Sequence, residues 1–301
     1  LLPANVMAGK ADAAVTQYAL PLVSVNDAPR SGYRGFMLDV SRHFFTVDEV
    51  KRMLDVMSYY KMNRFHWHLS DDQGWRVEIK KYPKLTTVGS IAPNVMFTDM
   101  HTCTQYWLNK PYGPYFYTQD ELRDVVAYAK ERHIEIVPEI DMPGHFVAAM
   151  ASYPEFSCYP NGTHTIWTTG GISSDILNVA NPKAVQFAKD ILSELMDIFP
   201  YETIHIGGDE CPTSAWEGNA ECQARYQELG LTNYRQLQSH FIKEMADFVQ
   251  SKGRKLAVWN EAITAASADV ETVKSTGALV YCWTGPEAAA TKAAQLGLDN
   301  I

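Results

Sequence analysis

The chain reads YETIHIGGDE over residues 201–210. The β-branched run TIHI within this stretch predicts a buried strand. Successive side chains of a strand point to opposite faces, so Asp209 and Glu210 can serve one site only if the strand ends and the chain turns. Gly207 and Gly208 permit such a turn. Two carboxylates at a strand end suit acid-assisted cleavage of a sugar bond, and an Asp-Glu pair in a solvated loop is the plain alternative.

Length and composition indicate an ordinary globular chain. Of its 301 residues, 46% are hydrophobic and 20% are charged, which is enough apolar material for one large α/β domain or two small ones. The net charge of −9 argues against a nucleic-acid partner, because neutralising phosphates requires clustered Lys and Arg. The apolar stretches are short and interrupted by charge, so no membrane span is predicted. No signal peptide is visible at Leu1.

The cysteines are too widely spaced for a C-x-x-C motif or a zinc site. They are Cys103, Cys158, Cys211, Cys222 and Cys282. Cys103 and Cys158 fall in loop-like regions and are candidates for a pair, whereas buried thiols are predicted at the other positions. The sequence therefore predicts neither a metal centre nor a cofactor.

Strand and helix signals alternate along the chain. The predicted strands are 34–40, 65–69, 134–140, 203–206, 255–259 and 278–283. Capping boxes at Thr46 and Thr118 and the Asn181-Pro182 pair predict three helix starts. Two more helices are predicted over 233–252 and 287–296, and long loops over 84–117 and 153–179.

Repeated β-α units predict a parallel sheet. The positions of the polar residues that follow the strands distinguish an open sheet from a closed barrel. These residues are Asp71, Asp72, Asp141, Asp209, Glu210, Asn260, Glu261 and Trp283. An open sheet would concentrate them at one switch point, whereas a TIM (β/α)₈ barrel spreads them around one rim. We therefore predict an incomplete barrel over residues 31–301, with six strands and the start of a seventh. Residues 1–30 are predicted to be the end of a preceding domain and a linker.

Five strings of the sequence, in the same order, resemble the catalytic domain of glycoside hydrolase family 20, the β-N-acetylhexosaminidases. The strings are YRGFMLDVSR (33–42), FHWHLSDDQGW (65–75), PEIDMPGH (138–145), HIGGDE (205–210) and VWNE (258–261). The resemblance covers about residues 33–283 and stops at Ile301, before the last two strands of the family. It implies retaining hydrolysis of terminal β-linked GlcNAc or GalNAc, in which the 2-acetamido group of the substrate is the nucleophile.

The resemblance also implies roles for four residues in the chemistry. Glu210 would be the general acid that protonates the leaving oxygen and later activates water. Asp209 would accept the acetamide N–H and stabilise the oxazolinium, although it could instead cap the following helix. Asp141 and His145 would form a pair that tunes the acid, although an Asp-x-x-x-His string alone is more often a structural hydrogen bond.

The residues predicted to bind the sugar are Arg34, Asp71, Asp72, Trp259, Trp283 and Glu261. The resemblance implies that Arg34 grips the 3- and 4-hydroxyls, and an ion pair with Asp71 or Asp72 is the alternative. Trp259 and Trp283 would form the walls of the pocket, or else pack the barrel. Core positions are predicted for His66, His68 and His205, with His205 the exception if there is one.

Two other hypotheses remain open from the sequence. One is a retaining glycosidase with a direct carboxylate nucleophile, Glu139 or Glu261, opposite Glu210. The other is an inactive sugar-binding fragment, because a barrel without its last strands leaves open edges. The predicted partner is an oligosaccharide or glycoconjugate, and the predicted location is secreted, periplasmic or at the cell surface.

Overall fold

A computed structural model describes residues 22–99 and 101–301 of the chain. Residues 22–30 are exposed and form no helix or strand. Most of the predicted linker, residues 1–30, lies outside the described residues, so the division into domains stays a prediction. No helix of the described ranges is long and apolar enough to cross a lipid bilayer.

Six of the strands form one parallel sheet, and two short antiparallel hairpins accompany it. The strands are β1 (Gly35–Asp39), β2 (Arg64–His68), β3 (Ser70–Asp71), β4 (Gly74–Trp75), β5 (Met96–Asp99), β6 (Thr104–Trp107), β7 (Glu135–Glu139), β8 (Thr203–His205), β9 (Lys255–Trp259) and β10 (Leu279–Tyr281). The order in the main sheet is β1-β2-β7-β8-β9-β10, and every neighbouring pair is parallel. The six predicted strands are confirmed.

The strand order distinguishes a barrel from an open sheet. An open doubly wound sheet reverses its order at a switch point, whereas the six strands here follow the order of the chain without reversal. The sheet is therefore a half-barrel, which confirms the predicted incomplete TIM fold. Asn300 forms a parallel bridge with Val280, so the predicted start of a seventh strand pairs next to β10.

Helices connect the strands, and the long helices lie where the sequence predicts them. They are α1 (Val47–Tyr59), α2 (Lys84–Thr87), α3 (Gln119–Lys130), α4 (Val147–Ser152), α5 (Pro182–Ile198), α6 (Ser214–Gly218), α7 (Ala220–Glu228), α8 (Arg235–Ser251), α9 (Glu261–Thr264), α10 (Val270–Lys274) and α11 (Pro286–Gln295). Complete capping boxes start α1 at Thr46 and α3 at Thr118. Asn181 caps α5, whose first residue is Pro182. The short helices α4, α6, α7, α9 and α10 have no counterpart in the sequence prediction.

Alternate residues of the main sheet face two different environments. The outward side chains belong to the large apolar core, and they include Phe65, Trp67, Ile136, Ile204, Leu256, Val258 and Val280. Each such buried side chain contributes about 1.5–3 kcal/mol of hydrophobic stabilisation. The inward side chains are polar or aromatic and contact one another; they include His66, His68, Glu139, His205, Trp259 and Tyr281. The inside of the half-barrel is therefore built for hydrogen bonding.

Two predictions about irregular regions are wrong. The segment 84–117 was expected to be one long loop, but it contains α2 and the antiparallel hairpin of β5 and β6. Cys103 and Cys158 do not pair: both are free, Cys103 exposed at the turn of that hairpin and Cys158 buried elsewhere. The prediction that both cysteines lie in loops carried no information about the distance between Cys103 and Cys158.

Arg76 joins three loops at the carboxyl end of the sheet. Its side chain is fully buried, and burial lowers the pKa of its guanidinium to about 10. The guanidinium donates to the backbone carbonyls of Val40, Ser41, Gln73, Ser90 and Tyr115. A Cβ on Gly74 would lie 2.1 Å from its Nη2, so the neighbouring residue must be glycine. A planar fork of five donors is therefore required here.

The loss of this fork should destabilise the fold. Arg76→Lys keeps the charge but leaves several buried carbonyls without a donor, at about 1–3 kcal/mol each. We expect the free energy of unfolding to fall by at least about 3 kcal/mol, measured by urea denaturation. The matched control Arg123→Lys, on the exposed side of α3, should change it by less than about 0.5 kcal/mol. Equal effects of the two substitutions would show that the buried fork is dispensable.

Candidate active site

The carboxyl ends of the strands bring most of the predicted site residues together. His145 Nε2 lies 3.3 Å from Glu210 Oε2 and 4.0 Å from Asp209 Oδ2. Asp141 is in hydrogen-bond contact with Asp209. Glu261 lies close enough to Asp209 for their charges to interact. The polar residues after β2, β7, β8 and β9 thus form one cluster, as expected for the rim of a barrel.

Two glycines turn the chain at the end of β8. Gly207 and Gly208 have φ of 67° and 93°, a left-handed region that side chains disfavour. A Cβ on Gly207 would lie 1.9 Å from Asp141 Oδ1, so this position accepts only glycine. Glu210 itself has φ of 42°, which is uncommon outside glycine and directs its side chain away from the strand. The turn predicted from the sequence is present, and it places both carboxylates on one side.

His145 connects Glu210 to two buried acids. Its Nδ1 lies 3.1 Å from Asp71 Oδ1 and 3.1 Å from Asp72 Oδ2. Burial lowers the pKa of His145, but the hydrogen bonds to Asp71 and Asp72 outweigh burial and raise it to about 11. His145 is therefore an imidazolium that directs one N–H to the acids and the other to Glu210.

The predicted partner of His145 is wrong. Asp141 was expected to fix the ring of His145, because the two residues are four apart in the sequence. The structure gives this task to Asp71 and Asp72. Asp141 instead accepts a hydrogen bond from the backbone N–H of Gly208 at 3.0 Å. Asp141 and His145 still have ligand atoms within 4.8 Å of each other, but the hydrogen-bond contacts of the His145 ring go to Asp72 and Glu210.

The prediction that Asp71 and Asp72 contact sugar is also corrected, because both carboxylates are buried. Asp71 Oδ2 accepts from His68 Nε2 at 2.8 Å and from Arg42 Nη2 at 2.7 Å. Asp72 accepts from the backbone N–H of Val147 at 3.2 Å. Their bonds lead to other protein groups, so both acids position residues of the site and do not face a ligand.

The carboxyl groups of Asp141 and Asp209 interact with each other. Burial raises the pKa of Asp141 well above its usual range, and the charge of Asp209 adds to the effect. Burial also raises the pKa of Asp209, while the hydrogen bond from Asp141 opposes the rise. Among the described residues, Asp141 Oδ2 and Asp209 Oδ1 are buried oxygens without a donor. A proton held by Asp141 supplies that donor and leaves Asp209 as the charged member of the pair.

Arg34 does not belong to the site, which corrects its predicted role. It precedes β1, at the amino end of the sheet, and its guanidinium donates to the backbone carbonyls of Lys61 and Ser31. Arg42, by contrast, follows β1 at the carboxyl end of the sheet. It pairs with Asp39 at 2.9 Å, and its side chain is 40% exposed. Sequence reasoning missed Arg42, although its place three residues after the end of β1 was a usable signal.

Two tryptophans line the site on the side of β9 and β10. The ring centroids of Trp259 and Trp283 are 6.4 Å apart, with 67° between the planes. Trp283 Nε1 donates to Glu261 Oε2 at 3.2 Å, and Trp283 remains 47% exposed. Burial and the charge of Asp209 raise the pKa of Glu261. The two rings thus form two apolar walls at an angle to each other, and Glu261 orients the exposed ring of Trp283.

Glu139 contacts the indole edge of Trp259. The sequence analysis considered it only as a nucleophile and did not predict that it positions other residues. Its carboxylate is fully buried. Oε1 accepts from Trp259 Nε1 at 2.8 Å, and Oε2 lies 2.7 Å from both His66 Nε2 and His68 Nδ1. The histidines predicted to be core residues are buried here, including His205. Alternation of polar residues in FHWH and PEID was the signal for this inward polar face.

Within residues 22–99 and 101–301, three sets of side chains have ligand atoms close enough to hold a cation. They are His66, Glu139 and His205; Asp71, Asp72 and His145; and Asp141, His145 and Asp209. The hydrogen bonds above already pair the acids of the second set with His145, Arg42 and His68. In the third set, Asp141 and Asp209 interact with each other, and the pKa of both carboxyl groups is raised. Acids and a histidine at these distances are suited to proton transfer.

Comparisons with known proteins agree on one family. The sequence model of the glycosyl hydrolase family 20 catalytic domain matches residues 32–301. The chain is 41% identical to a beta-hexosaminidase of Porphyromonas gingivalis, over 91% of this chain and 33% of that protein. It is 38% identical to a beta-hexosaminidase of Vibrio furnissii, over 94% of this chain and 44% of that protein. The chain thus spans less than half the length of these two relatives.

Solved structures give the same result for the fold. The Flavobacterium johnsoniae chitobiase has a TM-score of 0.76 and 36% identity, over 90% of this chain and 38% of that one. The exo beta-N-acetylglucosaminidase of Vibrio harveyi, solved with N-acetylglucosamine, has a TM-score of 0.76 and 38% identity, over 91% of this chain and 41% of that one. Both are family 20 enzymes.

The charge of His145 should make stability depend on pH. Its folded-state pKa of about 11 lies above the ordinary value of 6.5, so its contribution is complete below pH 6.5 and is lost as pH rises toward 11. His145→Gln removes this contribution. The difference in free energy of unfolding between the two proteins should therefore shrink by up to about 1.4 kcal/mol per pH unit between pH 7 and 10. Urea titrations at each pH measure it, and a constant difference would contradict a charged His145.

Proposed function

This chain belongs to glycosyl hydrolase family 20, and on that basis we propose that it forms the catalytic barrel of a β-N-acetylhexosaminidase. The enzyme that carries it would remove terminal non-reducing β-linked GlcNAc or GalNAc from an oligosaccharide or glycoconjugate. The names of the relatives support this proposal. A secreted, periplasmic or cell-surface location is proposed with it, because such glycans are found there. The net charge of −9 is consistent with a partner other than nucleic acid.

One observation supports the proposal most strongly: two carboxylates lie beside the same histidine at the carboxyl end of the sheet. Glu210 is 35% exposed beside the imidazolium of His145. Asp209, the preceding residue, is 15% exposed and interacts with Asp141. Adjacent residues of a regular strand could not do this, so the turn at Gly207 is what makes the constellation possible.

Glu210 is proposed as the general acid and base. It protonates the glycosidic oxygen as the bond to the leaving group breaks, and it later takes a proton from the attacking water. His145 donates a hydrogen bond to Glu210 Oε2 across 3.3 Å, which stabilises the carboxylate that the first step produces. Asp71 and Asp72 keep the ring of His145 charged and oriented.

Asp209 is proposed to orient the nucleophile. The acetamide N–H of the substrate donates to Asp209, which turns the acetamide oxygen toward the anomeric carbon. As the oxazolinium forms, positive charge develops beside a carboxylate in a mostly buried site, where the interaction is strong. The angle between Trp259 and Trp283 offers an apolar surface for the acetamide methyl and the ring.

A direct carboxylate nucleophile is less well supported. Glu139 was one candidate, but it has no exposed surface and both its oxygens are bonded within the protein. It lies under Trp259 and cannot reach an anomeric carbon. Glu261 was the other candidate, and its Oε2 accepts from Trp283. Asp209 is therefore the carboxylate beside Glu210 that remains free to meet substrate.

Removal of the acid should depend on the leaving group. Glu210→Gln keeps the shape of the side chain but cannot donate a proton, so kcat on a β-linked GlcNAc disaccharide should fall about 10²–10⁴-fold. Cleavage of a 2,4-dinitrophenyl β-GlcNAc should lose much less in the first step, because that leaving group needs no proton. Glu271→Gln, on the exposed side of α10, is the matched control. Equal losses on both substrates would rule out Glu210 as the acid.

Neutralising Asp209 should act on the transition state. Asp209→Asn keeps the size but removes the charge and turns an amide donor toward the substrate N–H. We expect kcat/KM on an aryl β-GlcNAc to fall by about 10²–10³, the effect of one preorganised group. Asp247→Asn, an exposed acid on α8, should leave the rate unchanged. A wild-type rate in Asp209→Asn would remove this residue from the mechanism.

A further inference from the structure

Three cysteines meet in a small apolar cluster behind the site, which we call the thiol cluster. Its buried members are Cys158, Ile176, Cys211, Ala215, Trp216, Cys222 and Leu237. Cys158 comes from the loop 153–179, and Cys222 lies in the first turn of α7. Their exposed fractions are 5% and 0%. Two chain segments that are far apart in sequence thus bring their thiols into one dry volume.

A single side chain, Asn219, fixes the backbones of Cys158 and Cys222 on either side of it. Its Nδ2 donates to the carbonyl oxygen of Cys158 at 3.0 Å. Its Oδ1 accepts from the backbone N–H of Cys222 at 3.1 Å. Because one carboxamide spans the gap, the two residues are adjacent in space. Both thiols belong to the same buried cluster, and the interaction with the Cys222 thiol, together with burial, raises the pKa of Cys158.

The hydrogen bonds that the thiols make are expendable. Cys222 Sγ–H donates to Asn178 Oδ1 at 3.2 Å, but that oxygen also accepts from the backbone N–H of Ala180 at 3.1 Å. Cys158 Sγ–H makes a long contact of 3.9 Å to Leu177 O, which also accepts from Trp216 Nε1 at 3.0 Å. Loss of both S–H donors would leave neither acceptor unsatisfied.

We propose that Cys158 and Cys222 form a disulfide bond that ties the loop 153–179 to α7. The geometry selects this pair. Asn219 aligns their backbones, their thiols interact within one buried cluster, and their acceptors tolerate the loss of the protons. Cys211, the third cysteine of the cluster, lies next to Glu210 and shares neither contact with Asn219. The inference does not rest on the proposed hydrolase activity.

The bond forms by thiol–disulfide exchange with a small-molecule disulfide such as glutathione disulfide, which is the oxidant. One protein thiolate attacks a sulfur of the oxidant and expels one glutathione thiolate. The second protein thiolate then attacks the mixed disulfide and expels the other. The protein loses two protons and two electrons, and the oxidant becomes two thiols. Because both cysteines are buried in the folded chain, the exchange takes place during folding.

The disulfide would stabilise the loops that support the acid. The loop 153–179 supplies the backbone N–H of Ser173, which lies 3.4 Å from Asp72 Oδ2. The segment before α7 carries Glu210. A cross-link between them closes a loop of about 60 residues and so removes much chain entropy from the unfolded state. It thereby couples the positions of Asp72 and Glu210.

The first test needs no substitution. The full-length protein is refolded in a glutathione redox buffer, and its free thiols are alkylated under denaturing conditions. Tryptic peptides are then read by mass spectrometry. We expect the peptide with Cys158 linked to the peptide with Cys222. Trypsin leaves Cys211 and Cys222 in one peptide, so fragmentation of the linked pair assigns the partner. Alkylation of both thiols in the folded fraction, or a link from Cys158 to Cys211, would overturn the proposal.

The second test measures the effect of a reductant on the melting temperature. Reduction should lower the Tm of the refolded protein by about 10 °C. Cys211→Ser keeps the proposed pair and should show the same shift, whereas Cys158→Ala and Cys222→Ala should show none. Each variant is compared with itself, so a general loss of stability cancels. A shift that is absent in all proteins, or equal in all, would contradict the disulfide.

Discussion

The buried carboxylate of Glu139 is the constraint on which the arrangement of the site depends. A charge without exposed surface must find donors, and Glu139 finds them on two other strands, at His68 and Trp259, while His205 of a third strand lies 3.2 Å away. Burial alone would raise its pKa, but the neighbouring histidines outweigh burial and hold the pKa well below its usual range. Four strands are thus fixed in register around one anion, and the tryptophan of the pocket is fixed with them.

From this anion a continuous chain of polar contacts leads to the proposed acid. His68 connects Glu139 to Asp71, and Asp71 contacts His145, which contacts Glu210. Asp71 also pairs with Arg42. Each buried group is satisfied only while its neighbours stay in place, so the network orients Glu210 without help from a ligand. The left-handed turn that precedes Glu210 is tolerated because this network surrounds it.

The sequence predicted what depends on local physics. The strands, the capped starts of α1, α3 and α5, and the glycine turn before Asp209 follow from residues close together in the chain. Its errors concern contacts between distant segments. Asp141 was predicted to orient His145 because it lies four residues away in the sequence. The residues that contact His145 Nδ1 are Asp71 and Asp72, which follow another strand. The sugar-binding role was assigned to Arg34, which precedes its strand, and Arg42, which follows the same strand, was not considered. The alternation in FHWH and PEID indicates an inward polar face, but the central position of Glu139 in that face follows only from the alignment of the strands.

The central claim is that the substrate supplies its own nucleophile, held by Asp209. The most direct measurement compares kcat/KM of the full-length enzyme on two aryl glycosides with the same leaving group, a β-GlcNAc and a β-glucoside. A glucoside has a 2-hydroxyl that cannot form an oxazolinium, so we expect its rate to be lower by on the order of 10³-fold or more. Comparable rates on the two sugars, or a covalent glycosyl ester trapped on Glu139 or Glu261, would contradict the account.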